Sequence, residues 1–226
     1  MRKGRQELGG RPTEVWGSKA VLKEVTGRLQ TFVLILKALF SRAVTIDLGK
    51  ILSQHQVSGL VLDVAAGGSG TGPKILGEGT VALDVSTEEI GEAIRGGAKA
   101  RWVCADGVTM PFRDNVFDHV MTFFGLLYIR GTDKKRAVLR ESLRVLRGGG
   151  KLVLVEPTVN RDVGDYLVKV KVLNHGQPVH TASYGVSGRG IGQTPTLISD
   201  FAKRVGASLK QLEAERYFVA ALTKPA

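Results

Sequence analysis

The sequence contains little of several features whose scarcity excludes whole classes of protein. A single cysteine, Cys104, rules out an internal disulfide and a metal site built from cysteines, and it suits a reducing compartment, so we predict a cytoplasmic protein without a metal. The longest apolar run, residues 32–36, reaches residue 40 only across Lys37, which is short of the roughly 20 residues of a membrane-spanning helix. The first ten residues lack the apolar stretch of a secretory signal. We therefore expect no membrane partner.

Glycine and positive charge are the two features present in excess. The 226 residues include 29 glycines, well above the usual share of about 7%, and their clustering predicts tight turns. The net charge of +11 comes mainly from the two ends: residues 1–60 carry ten Lys or Arg against four Asp or Glu, and residues 157–226 carry nine against five. Basic ends can attract an anionic partner such as RNA, but they also serve solubility.

Two regions precede the first glycine-rich turn. Residues 1–13 combine Gly, Arg and Pro with little apolar content, and we predict a disordered arm. From Glu14 to Phe40, apolar residues recur three and four positions apart, which indicates an amphipathic helix. Residues 43–57 are expected to form a shorter helix. We assign residues 14–226 to one domain, whose N-terminal helices occupy residues 14–58.

After residue 58, short β-branched apolar runs alternate with helical stretches. Such runs suit strands buried on both faces, and the alternation predicts a parallel sheet covered by helices. The predicted strands are residues 60–64, 80–83, 100–103, 119–123 and 151–155, and the predicted helices are 87–94, 134–146 and 197–206. Residues 209–215 and 216–222 follow as two consecutive strands and predict an antiparallel end.

Residues 158–196 interrupt this alternation and predict an inserted hairpin. Val168, Val170 and Val172 alternate with other residues, residues 174–177 (NHGQ) offer a turn, and residues 179–186 form the returning strand. We expect the insertion to cap the sheet edge or a pocket.

Residues 61–72 run from a predicted strand into a turn of small residues. Without large side chains, such a turn lets a ligand approach the backbone, whose amides can donate hydrogen bonds. A phosphate-binding P-loop is excluded because Pro73 stands where that motif needs lysine. A dinucleotide fingerprint tolerates the spacing of Ala65, Gly67 and Gly70, so NAD or FAD stays open. The third candidate is S-adenosylmethionine.

Three aspartates at the ends of successive strands distinguish between these ligands. Asp63 precedes the turn, where a carboxylate can order the loop and meet an ammonium group. Asp84, 21 residues later, suits a ribose diol, and Asp106 can accept a hydrogen bond from an adenine amino group. A dinucleotide enzyme needs only the second acid. A single aspartate after a strand commonly caps a turn, so the succession of three is what favours S-adenosylmethionine.

These segments together resemble the class I S-adenosylmethionine-dependent methyltransferases, in particular the group containing small-molecule and quinone-pathway enzymes. The resemblance covers about residues 58–157, and its motifs are specific in their order and spacing rather than singly. The matching segments are residues 61–70 (VLDVAAGGSG), 82–86 (ALDVS), 105–120 (ADGVTMPFRDNVFDHV), 144–152 (RVLRGGGKL) and 155–157 (VEP). Ala65 departs from the family, which usually has glycine there.

The resemblance implies an α/β, Rossmann-like doubly wound sheet of seven strands in the order 3-2-1-4-5-7-6, with the last strand antiparallel. It also implies S-adenosylmethionine as cofactor and a set of cofactor-binding residues. By resemblance, the residues beside the methionine portion are Asp63, Ala65 and Gly67, those beside the ribose and adenine are Asp84, Val85, Asp106 and Gly107, and those beside the transferred methyl are Thr122 and Phe123.

The sequence indicates the class of methyl acceptor but not the acceptor itself. An Asn/Asp-Pro-Pro-aromatic run, typical of enzymes that methylate planar amines, is missing from residues 121–128 (MTFFGLLY), and Cys104 lacks the Pro-Cys context of carbon-5 pyrimidine methylation. We therefore predict a small-molecule acceptor, with RNA as a less favoured one. An activated methyl needs alignment more than acid–base help, so no catalytic residue is assigned. The weaker candidates for acceptor contacts are His175, His180, Tyr128, Tyr184 and Arg189.

Two hypotheses from other classes remain alongside the methyltransferase. One is an NAD(P)-dependent oxidoreductase, which would be stabilised by the dinucleotide rather than by S-adenosylhomocysteine. The other is a non-catalytic cofactor-binding protein, which would bind S-adenosylhomocysteine without transferring a methyl group. The sequence does not indicate an oligomeric state.

Overall fold

The computed structural model describes residues 43–160, 164–213 and 216–225, in which ten strands and five helices follow one another along the chain. The predicted arm (1–13) and the predicted helix from Glu14 to Phe40 lie outside these residues. The strands are β1 (Val44–Asp47), β2 (Val61–Val64), β3 (Val81–Asp84), β4 (Arg101–Cys104), β5 (Phe117–Phe123), β6 (Leu146–Pro157), β7 (Asp165–Asn174), β8 (Gln177–Ser187), β9 (Ser208–Glu213) and β10 (Tyr217–Thr223). The helices are α1 (Leu48–Gln54), α2 (Thr71–Leu76), α3 (Thr87–Arg95), α4 (Thr132–Val145) and α5 (Pro195–Val205), with a 3₁₀ turn at Leu126–Tyr128.

Seven of the strands form one twisted sheet in the order β4-β3-β2-β5-β6-β10-β9. Strands β2 to β6 pair in parallel, and β10 pairs antiparallel with both β6 and β9. Numbered within this sheet alone, the order is 3-2-1-4-5-7-6, which confirms the prediction. The carboxyl ends of β2, β3, β4 and β5 therefore meet at one edge, beside the point where the strand order reverses.

Local sequence signals explain where the helices begin and end. Ser86 caps α3, because its hydroxyl accepts a hydrogen bond of 3.2 Å from the Glu89 amide. Helix α5 has Pro195 in its first turn and ends at Gly206 in the left-handed conformation (φ +67°), as is typical of helix termini.

The two faces of the sheet are covered by different kinds of structure. One face packs against α4 and α5 through residues such as Leu139 and Phe201. The other packs against a second sheet of three strands in the order β1-β7-β8. Val170 and Val172 of β7 are fully buried between the two layers. The predicted hairpin is confirmed, with its turn at Asn174–Gln177, but it covers a face of the large sheet rather than only an edge.

Strand β1 corrects the prediction of a helix over residues 43–57. Its four residues pair in parallel with β7, with Val44 opposite Val170, and the helix begins only at Leu48. Asp47 makes this change of structure possible. Its carboxylate accepts hydrogen bonds from Lys50 N at 3.0 Å, as the cap of α1, and from His175 N at 2.9 Å and Gly176 N at 2.8 Å in the hairpin turn.

Candidate functional site

A cavity of about 840 Å³ opens at the sheet edge where β2, β3, β4 and β5 end. Several segments of the chain contribute to its wall. The glycine-rich loop contributes residues 64–69, the ends of β3 and β4 contribute residues 83–86 and 105–108, the segment after β5 contributes residues 123–125 and 128–130, and β8 contributes residues 182–184. Glu89, Glu92, Lys134 and Val138 complete the wall from two helices.

Carboxylates hold the glycine-rich loop through its amides. Gly67 N donates to Asp84 Oδ2 at 2.8 Å, and Gly68 N donates to Glu89 Oε2 at 2.5 Å. A Cβ at Gly68 would lie 2.7 Å from Glu89 Oε2 and 2.9 Å from Glu92 Oε2, which is closer than real Cβ contacts allow. A side chain at position 68 would therefore displace the carboxylate ends of Glu89 and Glu92, which close on the loop from α3.

Asp84 and Asp106 both lie on the cavity wall, as predicted for them. Asp84 is buried, and its second oxygen, Oδ1, accepts from Ser86 N at 3.0 Å. Asp106 Oδ1 accepts from Val108 N at 3.0 Å, which closes a turn. Since an ionised carboxylate has about four acceptor positions, both side chains keep capacity for a ligand. Other predicted residues on the same wall are Ala65, Gly67, Val85, Gly107 and Phe123.

Asp63 differs from its prediction, because it lies beneath the loop instead of on the cavity wall. It is 1% exposed and accepts a hydrogen bond from the Gly72 amide, and its Oδ1 has no hydrogen-bond partner in the described part of the chain. Burial, together with the nearby charges of Asp84 and Glu156, raises the pKa of Asp63 well above its usual value. Asp63 therefore orders the loop, but it is not among the residues that line the cavity.

Thr122 also lies away from the cavity, in a buried polar network. Its hydroxyl donates to Glu156 Oε1 at 2.6 Å, and the same oxygen accepts from Leu126 N at 3.1 Å. Side chains alternate along a strand, so Phe123 reaches the cavity while Thr122 faces Glu156. Lys135 completes the network, donating to Leu126 O at 2.6 Å and to Gln193 Oε1 at 2.7 Å. The network fixes the segment that follows β5.

Two non-glycine residues at the centre of the site have left-handed backbones. Ala65 has φ +54° and Phe124 has φ +57°. Gly125, which follows Phe124, packs against the loop so closely that a Cβ there would lie 2.9 Å from both Ala65 Cβ and Val64 O. Left-handed conformations cost energy in residues with a Cβ and cluster at functional sites. Alanine at position 65, where the family that the sequence resembles usually has glycine, therefore leaves strain in the loop.

Replacing Ala65 by glycine is expected to leave the free energy of unfolding unchanged or to raise it by up to about 1 kcal/mol, because glycine adopts positive φ without strain. The matched control is Ala66→Gly, next in the chain, buried and not in the left-handed region, where glycine should cost about 1 kcal/mol. Urea unfolding of both variants measures the difference. Equal losses from the two substitutions would contradict the strain at Ala65.

Aromatic rings form the wall opposite the glycine-rich loop. Tyr184 of β8 packs against Phe123 and Phe124, with ring centroids 5.8 Å and 4.9 Å apart. Tyr128 lies on the same wall, and burial raises the pKa of its hydroxyl to about 12. Of the weaker sequence candidates, Tyr128 and Tyr184 thus reach the cavity. Phe124, Glu89 and Glu92 carry no sequence motif for this site; the helix-start pattern of serine at 86 and glutamate at 89 is the one signal that points to any of them.

The segment after β5 and the hairpin close this side of the cavity together. Arg130 donates to Ser187 O at 2.7 Å and to Arg189 O at 3.1 Å, and Gly131 N donates to Gly190 O at 2.9 Å. Arg189 therefore offers its carbonyl group to this closure. The hairpin is attached to the same segment that carries the aromatic wall.

Comparisons with known proteins agree with this arrangement. Residues 62–154 match the family model described as a methyltransferase domain. A demethylmenaquinone methyltransferase from Renibacterium salmoninarum is 40% identical over 98 residues, which cover 42% of this chain and 40% of that protein. The matched segment is therefore less than half of the curated relative.

Solved structures show the fold over a longer part of the chain. A SAM-dependent methyltransferase from Methanosarcina mazei superposes with a TM-score of 0.56 at 17% identity, covering 80% of this chain and 99% of that one. A SAM-bound amino pentose methyltransferase of calicheamicin biosynthesis from Micromonospora echinaspora gives 0.52 at 17% identity, covering 76% and 86%. At this level of identity the likeness concerns the fold alone.

Proposed function

Because residues 62–154 form a domain of the class I S-adenosylmethionine-dependent methyltransferase type, we propose that this protein transfers a methyl group from S-adenosylmethionine to a small aromatic molecule. The family model matches only residues 62–154, and we extend the methyltransferase activity to the whole chain.

The observation that carries the proposal is the acidic setting of the glycine-rich loop. In dinucleotide-binding domains the loop amides and the following helix receive a diphosphate. Here the amides of Gly67 and Gly68 already donate to carboxylates, and Glu92 lies beside them on the cavity wall. A diphosphate would meet these negative charges, whereas a ligand with a sulfonium and an ammonium group would be attracted. The oxidoreductase alternative is therefore disfavoured.

The residues on the wall fit the parts of the proposed cofactor. Asp84 would accept from the ribose hydroxyls, while Asp106 and the exposed Val85 (68%) would border the adenine. Asp63 lies buried beneath the loop, where its Oδ1 has no hydrogen-bond partner among the described residues, and a positive charge above the loop would favour the ionised form of this carboxyl group. When bound, S-adenosylmethionine supplies a methyl group on a positively charged sulfur. What the chain adds is orientation and the exclusion of water.

The acceptor side of the cavity suits a planar aromatic molecule. Phe123, Phe124 and Tyr184 present ring faces and edges there, and aromatic rings pair favourably with one another at such distances. Several relatives are named as demethylmenaquinone methyltransferases, and we extend that class to this chain as a quinol-type acceptor. A cavity of about 840 Å³ lies in the upper part of the roughly 300–1,000 Å³ range of ligand sites.

We also propose that the protein resides in the cytoplasm. Among the described helices, none is both long and apolar enough to cross a membrane. Cys104 is a free and exposed thiol, a state that reducing compartments maintain.

S-Adenosylhomocysteine is expected to stabilise the protein in a thermal-shift assay, while NAD and NADP leave the melting temperature unchanged. At a concentration about 100-fold above its Kd, a ligand adds about 2.7 kcal/mol to the free energy of unfolding, which raises Tm by roughly 5–10 °C for a chain of this size. Stabilisation by NAD or NADP alone would overturn the cofactor assignment.

Methyl transfer itself is tested with labelled S-adenosylmethionine and a panel of acceptors. We expect label in quinols and other hydroxylated aromatic molecules. Transfer to an RNA pool instead would move the acceptor to the less favoured class. Binding of S-adenosylhomocysteine without transfer to either pool would support the non-catalytic alternative.

A further inference from the structure

Four polar side chains join the hairpin to the glycine-rich loop. The Tyr184 hydroxyl lies 3.1 Å from Ser69 Oγ and 3.0 Å from Thr71 Oγ1. Ser69 and Thr71 are themselves 3.0 Å apart, and Thr71 Oγ1 lies 3.1 Å from His180 Nε2. These contacts link residues more than 100 positions apart in the chain.

The position of the Tyr184 hydroxyl is restrained by the packing of its ring. The residue is 6% exposed, and its ring packs against Phe123 and Phe124 of the aromatic wall. The far end of the hairpin is anchored separately, where Asp47 accepts hydrogen bonds from the turn. The hydroxyl therefore presents a rigid partner to the loop rather than a mobile one.

The glycine-rich loop is also held by side chains from the large sheet and from α3. Asp84 and Glu89 bind the amides of Gly67 and Gly68 from β3 and α3. Three glycines between residues 67 and 70 give this segment wide conformational freedom in the absence of restraints. On the hairpin side, the restraint is the hydroxyl cluster around Thr71, which begins α2.

We propose that Tyr184 is a positioning residue for cofactor binding, which holds the glycine-rich loop through Thr71 and Ser69 in the conformation that receives S-adenosylmethionine. The inference rests on the proposed function. In this role the inserted hairpin contributes to the cofactor site as well as to the acceptor side of the cavity. Fixing a loop in its binding conformation improves affinity, because less ordering is left for the ligand to impose.

The test removes one hydroxyl at a time and measures S-adenosylhomocysteine affinity by calorimetry. Tyr184→Phe keeps the ring contacts, and Thr71→Val keeps nearly the same shape. We expect each variant to raise Kd about tenfold, and the double variant to raise it by clearly less than the product of the two, because both remove the contact between Tyr184 and Thr71. Hydrogen exchange of peptides covering residues 65–72 should be faster in Tyr184→Phe without ligand, although its Tm stays close to that of the wild type.

Tyr166→Phe is the matched control, since Tyr166 lies on β7, the other strand of the same hairpin. It should leave both Kd and loop exchange unchanged. Wild-type affinity and wild-type loop exchange in Tyr184→Phe would overturn the positioning role, and so would multiplicative effects in the double variant. Lack of S-adenosylhomocysteine binding by the wild-type protein would instead overturn the proposed function, so the two failures are distinguishable.

Discussion

Replacing Asp84 by asparagine is expected to raise the Kd for S-adenosylhomocysteine about 100-fold, equivalent to about 2.8 kcal/mol. The Asp84 carboxylate accepts from Gly67 N and Ser86 N, and in the proposed complex it also accepts from the ribose. An asparagine amide nitrogen cannot accept, so one of these donors loses its partner. Hydrogen bonds to charged groups contribute roughly 1.5–3 kcal/mol each, and calorimetric titration measures the loss.

Asp200→Asn is the control for the Asp84 experiment. Asp200 is exposed on α5 and lies outside the cavity wall, so this variant should bind like the wild type. Circular dichroism establishes that both variants are folded. An Asp84→Asn protein that is folded and binds with unchanged affinity would show that Asp84 does not hold the ligand.

Replacing Lys135 by methionine is expected to lower the free energy of unfolding by about 3–5 kcal/mol. Lys135 is fully buried and donates to Leu126 O and Gln193 Oε1. Burial lowers the pKa of its ammonium group to about 8, against the opposing influence of Glu156. Without the cation, two buried oxygens lose a donor and the Glu156 carboxylate loses its compensating charge. Urea denaturation measures the change.

The neighbouring Lys134 provides the control, because it is exposed one position earlier on the same helix. Lys134→Met should change stability by no more than about 0.5 kcal/mol. Adding Glu156→Gln to Lys135→Met should recover part of the loss, because the uncompensated carboxylate is gone. A loss of less than about 1 kcal/mol in Lys135→Met would show that the network does not stabilise the fold.

The same network predicts a pH dependence. Burial raises the pKa of Glu156, so the native state holds a proton over a pH range in which the unfolded chain, with a glutamate pKa of about 4.3, has lost it. Stability contributed by that proton is present at low pH and falls as pH rises through this range. Lys135→Met removes the cation that opposes the shift. Its unfolding free energy should therefore fall more steeply than that of the wild type as pH rises above the pKa of about 4.3 that glutamate has in the unfolded chain.

The large sheet could be predicted because its strands carry their signal locally. Residues 60–64 and 80–83, for example, are short, largely apolar runs followed by a turn of small residues and by Asp84, and such runs are typical of strands buried on both faces. The resemblance supplied the strand order, which the pairing of β10 with β6 and β9 confirms. The positions of Asp84 and Asp106 follow from the same rule, since parallel strands end at one edge.

What the sequence could not reveal depends on contacts between distant segments. Residues 44–47 form a strand only because β7 lies beside them, and no local pattern announces that partner. Asp63 accepts a hydrogen bond from the Gly72 amide and Thr122 donates one to Glu156, so both side chains lie away from the cavity. The positions of these two partners depend on the packed loop and on β6. The contact of Tyr184 with the loop joins residues 113 and 115 positions apart. Spacing alone cannot fix such geometry.

The parallel pairing of β1 with β7, Val44 opposite Val170, has a consequence for biosynthesis. Closing so long a segment is entropically costly and slow, and on the ribosome β1 must wait until three quarters of the chain has been made. The restraint on the glycine-rich loop from Tyr184 arrives later still. A nascent chain therefore completes the parallel strands of the large sheet before the restraint that we propose for cofactor binding is in place.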